Sequence, residues 1–145
     1  MLSKEVRYTN KKILIVDDEK DIHILLRVHL GNVKDIEVMS AYSAEEAVKM
    51  YGELLRKGGE PSLVIMDLKL SGGDVIELEG RERFDGVEAT KKILKLNPEA
   101  VIWGYTAWED TNEGKKLKEV GARQVFGRDI SFKEFAKMVE KFFQD

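Results

Sequence analysis

Residues 61–70 read PSLVIMDLKL, with Leu63-Val64-Ile65-Met66 running without a polar break into Asp67, and Lys69 two positions later. A short, continuously apolar run of this kind is the signature of a strand covered on both faces, as in a parallel sheet. The carboxylate then falls at the strand's carboxyl end, where open α/β sheets bind ligands. The fold and the candidate chemistry both follow from how the flanking segments fit this strand.

Working outward, KILIV at 12–16 is a second such strand, and others are expected at 36–41, 100–105 and 123–127. Helical spacing of Ile22, Leu25, Leu26 and Leu30 predicts a helix over 20–30, with Gly31 closing it. Ser43-Ala-Glu-Glu46 and Ser131-Phe-Lys-Glu134 are capping boxes that open helices reaching about Lys57 and residue 143. Further helices are expected over 86–96, ended by Asn97-Pro98, and over 109–119, followed by Gly121. The result is (βα) repeated five times, an α/β, doubly wound parallel five-stranded sheet with helices on both faces.

The 145 residues and 43% apolar content suit one domain with one core. No apolar run approaches the ~18 residues of a membrane span, and MLSKEVRYTNKK lacks the apolar centre of a secretory signal. Without cysteine there is neither disulfide nor thiolate chemistry. The expectation is a cytoplasmic protein with no membrane role. A net charge of −3 gives no electrostatic support for direct nucleic-acid binding. His23 and His29, six apart, lack the spacing of a metal pair and are expected at surface or boundary positions.

Strand one also ends in acid, Asp17-Asp18-Glu19. If strands one and three are neighbours, Asp17, Asp18 and Asp67 converge. Two carboxylates ~4 Å apart repel by about 4 kcal/mol at an effective dielectric of about 20. A proton or a cation must relieve that, and an all-oxygen donor set favours a hard ion, Mg²⁺ best. The plainer reading is that Asp18 only caps the first helix. Strand four ends in Thr106 and strand five in Arg128, adding a hydroxyl and a cation. Together these suit an Asp nucleophile with its phosphoryl oxygens held in place.

ILIVDDE, LVIMDLKL, DGVEATKKI, VIWGYTA and Gly121-Ala122, in this order, resemble the receiver domain of two-component response regulators over about Lys11 to Phe143. The resemblance implies a flavodoxin-like (βα)5 fold with strand order 2-1-3-4-5, a tail at 1–10 and a receiver domain at 11–145. It implies that Asp67 is the phosphoacceptor. Asp17, Asp18, Asp67 and the backbone carbonyl of Lys69 match the Mg²⁺ ligands, and Thr106 the switch hydroxyl. Lys69 and Trp108, each two residues after a site residue, would flank the phosphoryl group and slow its hydrolysis. The implied partners are a sensor histidine kinase or histidine phosphotransfer protein and a downstream protein effector.

Four departures stand out. Arg128 replaces the usual lysine, a planar fork in place of a point charge. Asp129 replaces the usual proline, so the Arg128–Asp129 bond is expected trans. Val125 holds the usual aromatic position, with Phe126 facing the other way. The segment SGGDVIELEGRERF makes an inserted loop at about 71–85, expected to contact a partner, with Val75, Ile76 and Leu78 in a small hairpin or lid.

The leading expectation is a single-domain, phosphorylation-switched regulator acting by docking, with no output domain after the last helix. It is no enzyme beyond its own phosphoryl acceptance and loss. The alternative is a receiver-like binding module that no longer switches. A haloacid-dehalogenase-type phosphatase needs an acid two residues after the nucleophile, where this chain has Lys69.

Overall fold

The computed structural model describes residues 11–70 and 85–144. The expected tail at 1–10 and the inserted segment at 71–84, with its proposed hairpin, lie outside the described residues.

Strands and helices alternate as expected: β1 (Lys11–Val16), α1 (Lys20–Leu30), β2 (Ile36–Ala41), α2 (Ala44–Arg56), β3 (Leu63–Met66), α3 (Asp85–Leu96), β4 (Ile102–Thr106), α4 (Asn112–Glu119), β5 (Gln124–Gly127) and α5 (Phe132–Gln144). All neighbouring strands pair in parallel, in the order β2-β1-β3-β4-β5. The chain therefore winds outward from β1 to one edge, then returns to β3 and winds to the other. The reversal lies between β1 and β3, the place where such sheets bind ligands.

β3 is central, and its four residues are at most 2% exposed. Its side chains alternate between two cores, as period two requires. Val64 and Met66 join Tyr51 of α2, Ile93 of α3 and Leu117 of α4 on one face. Leu63 and Ile65 join Leu26 of α1 and Phe135 of α5 on the other.

The helix starts follow their caps. Ser43 Oγ accepts from Glu46 N at 3.0 Å, and Glu46 reaches back to the amide of Tyr42 at 2.6 Å. Ser131 Oγ accepts from Glu134 N at 3.1 Å and donates to its carboxylate at 3.2 Å. α4 starts at Asn112 instead of 109 because Thr111 caps it, accepting from Gly114 N at 3.1 Å and donating to the Trp108 carbonyl at 2.6 Å. Gly31 closes α1 through a bond to the Arg27 carbonyl, in right-handed conformation.

α1 also corrects the expected apolar stripe. Its buried face is His23, Leu26 and Leu30, whereas Leu25 is 39% exposed beside Ile24 and Val28. The helix is turned so that a histidine, not Leu25, faces inward.

Candidate functional site

β1 and β3 are paired through Val16 and Met66, so the next residue on each, Asp17 and Asp67, reaches the same rim. The Asp67 amide donates to the Val16 carbonyl at 3.0 Å, fixing the two strand ends together. Both acids are buried, Asp17 at 2% and Asp67 at 8% exposure. The register thus brings Asp17 and Asp67 to one rim as expected, while among the described residues the carboxylates close enough to share an ion are those of Asp17, Asp18 and Glu19, without Asp67.

Asp67 is an unhappy anion. Its pKa is pushed up to about 6, first by burial and then by the charge of Asp17. A hydrogen bond from the Thr106 hydroxyl, the charge of Arg128 and the Leu68 amide, 2.8 Å from Oδ1, pull the other way without winning. Asp17 is also raised by burial, against the Glu19 amide bond at 2.9 Å and Arg128. Asp18 is half-buried and adds its charge to Asp17. It does not cap α1. The N-cap is Glu19, with no side-chain cap bond.

β4 and β5 complete the rim. Thr106, fully buried at the end of β4, also accepts from the Trp108 amide at 3.2 Å. Arg128 follows β5, and its Nη2 donates to Asp17 Oδ2 at 3.0 Å and to the Tyr105 carbonyl at 2.9 Å. Its Nε is buried and, among the described residues, has no hydrogen-bond partner. The Arg128–Asp129 bond is trans, as expected. Val125 packs with the α2–α4 core and Phe126 with the α1–α5 core, so they face opposite ways as expected. Across the site, Lys69 Nζ lies 4.9 Å from the centre of the Trp108 ring, a cation–π contact joining the loops after β3 and β4.

Three contributors were not singled out from the sequence. Carboxylate oxygens of Asp17, Asp18 and Glu19 lie within 4.8 Å of one another, making Glu19 a third acid of the cluster. This all-oxygen set suits a hard divalent cation. Tyr105 lies beneath Arg128, whose Cζ is 4.8 Å from its ring centre. His23, expected near the surface, is buried at 2% exposure. Its Nε2 meets the Asp17 carbonyl at 2.8 Å and its Nδ1 the Ser40 hydroxyl at 2.8 Å. A carbonyl only accepts, so Nε2 carries the proton and Nδ1 accepts from Ser40. Burial lowers the His23 pKa, consistent with that neutral ring. Only its place one step from Leu26 and Leu30 on the helical wheel signalled burial. His29 is half-buried at the boundary.

The profile of the response regulator receiver domain family matches residues 13–140. Response regulator protein VraR of Staphylococcus aureus is 30% identical over 131 residues, covering 90% of this chain and 55% of its own. Response regulator GacA of Pseudomonas syringae is 26% identical over 133 residues, covering 91% and 55%. The chain thus spans about 55% of the length of these curated relatives. A LuxR-family two-component response regulator from Aurantimonas sp. superposes with a TM-score of 0.72 at 25% identity, over 92% of this chain and 84% of the other. The response regulator domain of Thermotoga maritima CheB gives 0.70 at 20% identity, over 92% and 93%, a likeness of fold alone.

Proposed function

Because the chain belongs to the response regulator receiver domain family, we propose that Asp67 accepts a phosphoryl group from a phosphohistidine in a Mg²⁺-dependent reaction. The donor is a sensor histidine kinase or a histidine phosphotransfer protein, and the output is docking onto a downstream protein. A carboxylate oxygen of Asp67 attacks phosphorus, the phosphorus–nitrogen bond breaks, and the imidazole leaves with a proton. The observation that carries this reading is Asp67 itself, a buried carboxylate pushed up to about 6 beside a second acid, a hydroxyl and a guanidinium.

Asp17, Asp18, Asp67 and the backbone carbonyl of Lys69 are the residues that would hold Mg²⁺, whose charge offsets that building on the phosphoryl oxygens. The Thr106 hydroxyl, which lowers the Asp67 pKa by hydrogen bonding, would turn to a phosphoryl oxygen. Arg128 brings a guanidinium to the site, and its Nε, without a hydrogen-bond partner among the described residues, is a donor still to be used. We place the protein in the cytoplasm and expect no turnover of an external substrate. Among the described residues no helix is long and apolar enough to cross a membrane.

One observation favours a second reading, a receiver-like module that binds partners without switching. Arg128 already bridges to Asp17, so part of the acid charge is compensated from within. Incubation with acetyl phosphate and Mg²⁺ separates the two. A phosphoryl mass increment that needs Mg²⁺ and vanishes in Asp67→Asn is the expected result. No increment under these conditions leaves the binding module as the better description.

A further inference from the structure

Arg128 is held by one neighbouring residue in two ways. Its Nη2 donates to the Tyr105 carbonyl at 2.9 Å, and its guanidinium lies 4.8 Å from the centre of the Tyr105 ring. A planar guanidinium stacks on such a ring, whereas an ammonium in its place is a compact point charge with no plane to lay on it. The Tyr105 hydroxyl in turn donates to the Ile130 carbonyl, tying the ring to the chain just past Arg128. Backbone, ring and hydroxyl of one residue thus set where the site's cation stands.

The same ring belongs to an aromatic stack under α5. It lies parallel to Phe135, 4.2 Å between centres at 4°, and edge-on to Phe132 at 5.7 Å. Phe135 meets Trp103 at 6.1 Å, and Trp103 meets Phe126 and Phe142 edge-on. Rings in dense contact do not shift singly. On the opposite face of β5, Val125 is aliphatic and packs against β4 at Gly104.

Resting on the phosphoacceptor reading of Asp67, we propose that Tyr105 is the positioning residue for Arg128 and passes its movement to α5. In the present arrangement Arg128 is bonded to Asp17. With Asp17 holding a divalent cation, that bond would weaken, and a phosphoryl group would offer the guanidinium, its Nε included, a stronger acceptor. Leaving Asp17 changes the guanidinium's seat on Tyr105, and Phe132 and Phe135 adjust with the ring. The surface that responds to the site is therefore that of α5, its neighbour α1 and the Phe126 side of β5, not that of α4.

The full chain carrying Trp108→Phe keeps Trp103 as its one tryptophan. Beryllofluoride with Mg²⁺ stands in for the phosphoryl group, and ¹⁹F NMR reports its binding independently of Trp103 emission. The expected results are a bound resonance that requires Mg²⁺ and Asp67, and a change in Trp103 emission on binding. Tyr105→Leu is expected to weaken binding about fivefold, in line with a lost cation–π contact, and to abolish the Trp103 change. Arg128→Lys, which keeps the charge and loses the guanidinium plane, is expected to bind more weakly, still with a bound resonance, and to leave Trp103 silent. If circular dichroism finds Tyr105→Leu unfolded, Arg128→Lys alone decides. A Trp103 change that survives in Arg128→Lys, or in a folded Tyr105→Leu of unchanged affinity, overturns the proposal and leaves the phosphoacceptor reading standing. Absence of any bound resonance in the parent overturns both.

Discussion

At the residue scale the site is governed by what burial does to Asp67. Its folded pKa, about 6, lies above the ordinary 3.8, so the folded protein holds this proton more tightly than the unfolded chain. That contribution is fully present below the unfolded value and is lost as pH rises through about 6, on the order of 2 kcal/mol by neutral pH. Asp67→Asn in EDTA is therefore expected to melt about 5 °C above wild type near neutral pH, with the gap closing in acid. Melting curves across pH check this, and a gap independent of pH contradicts it. The Lys69–Trp108 contact makes a second prediction, since the two side chains meet over the rim that water must cross. Loss of the phosphoryl group is expected to quicken several-fold in Lys69→Ala and in Trp108→Ala, followed by phosphate release after acetyl phosphate labelling. Asp17, Asp67 and Thr106 were legible in the sequence because each ends an apolar strand. The bond that Arg128 makes was not, because nothing local signals a partner 111 positions away. His23 was hidden for a different reason. A helix rich in apolar residues offers several possible inner faces, and packing against Ser40 and Asp17 chose among them.

At the scale of elements, Gly86 shows how closely α3 must approach β3 to hold Asp67, the proposed acceptor, in place. A Cβ there would sit 2.1 Å from the Asp67 carbonyl oxygen and 2.8 Å from Leu68 Cα. The Gly86 amide spends that proximity on a bond to the Leu68 carbonyl at 2.9 Å. Gly86→Ala is expected to destabilise the protein by about 2 kcal/mol through overpacking and to slow labelling of Asp67 by moving its backbone. Chemical denaturation and the acetyl phosphate reaction measure the two effects. The same element scale marks where sequence reading stopped short. Both Ser-Glu capping boxes placed their helices well, because a cap is a local bargain between a side chain and an amide three residues on. α4 was started too early because 109–111 are polar residues that suit a helix as well as a turn, and only the Thr111 bonds decide it.

At the scale of the whole molecule, the alternation of strand and helix predicted the parallel sheet and its two covers, and the resemblance supplied the strand order found. Parallel pairing sends every strand end to the same rim, so residues far apart in sequence become neighbours without any local motif. The Asp17–Arg128 bond joins the first strand to the loop after the last. Closing so long a loop is entropically costly and is repaid only after the intervening strands have docked. The surroundings of Asp67 therefore depend on the whole sheet being in place. In urea, Mg²⁺-dependent labelling of Asp67 is expected to disappear within the same transition as helical circular dichroism, with no reactive partly folded species before or after it. On the phosphoacceptor reading, a chain damaged or loosened anywhere along the sheet would have nothing with which to receive a message. A received phosphoryl group would certify that its carrier is whole.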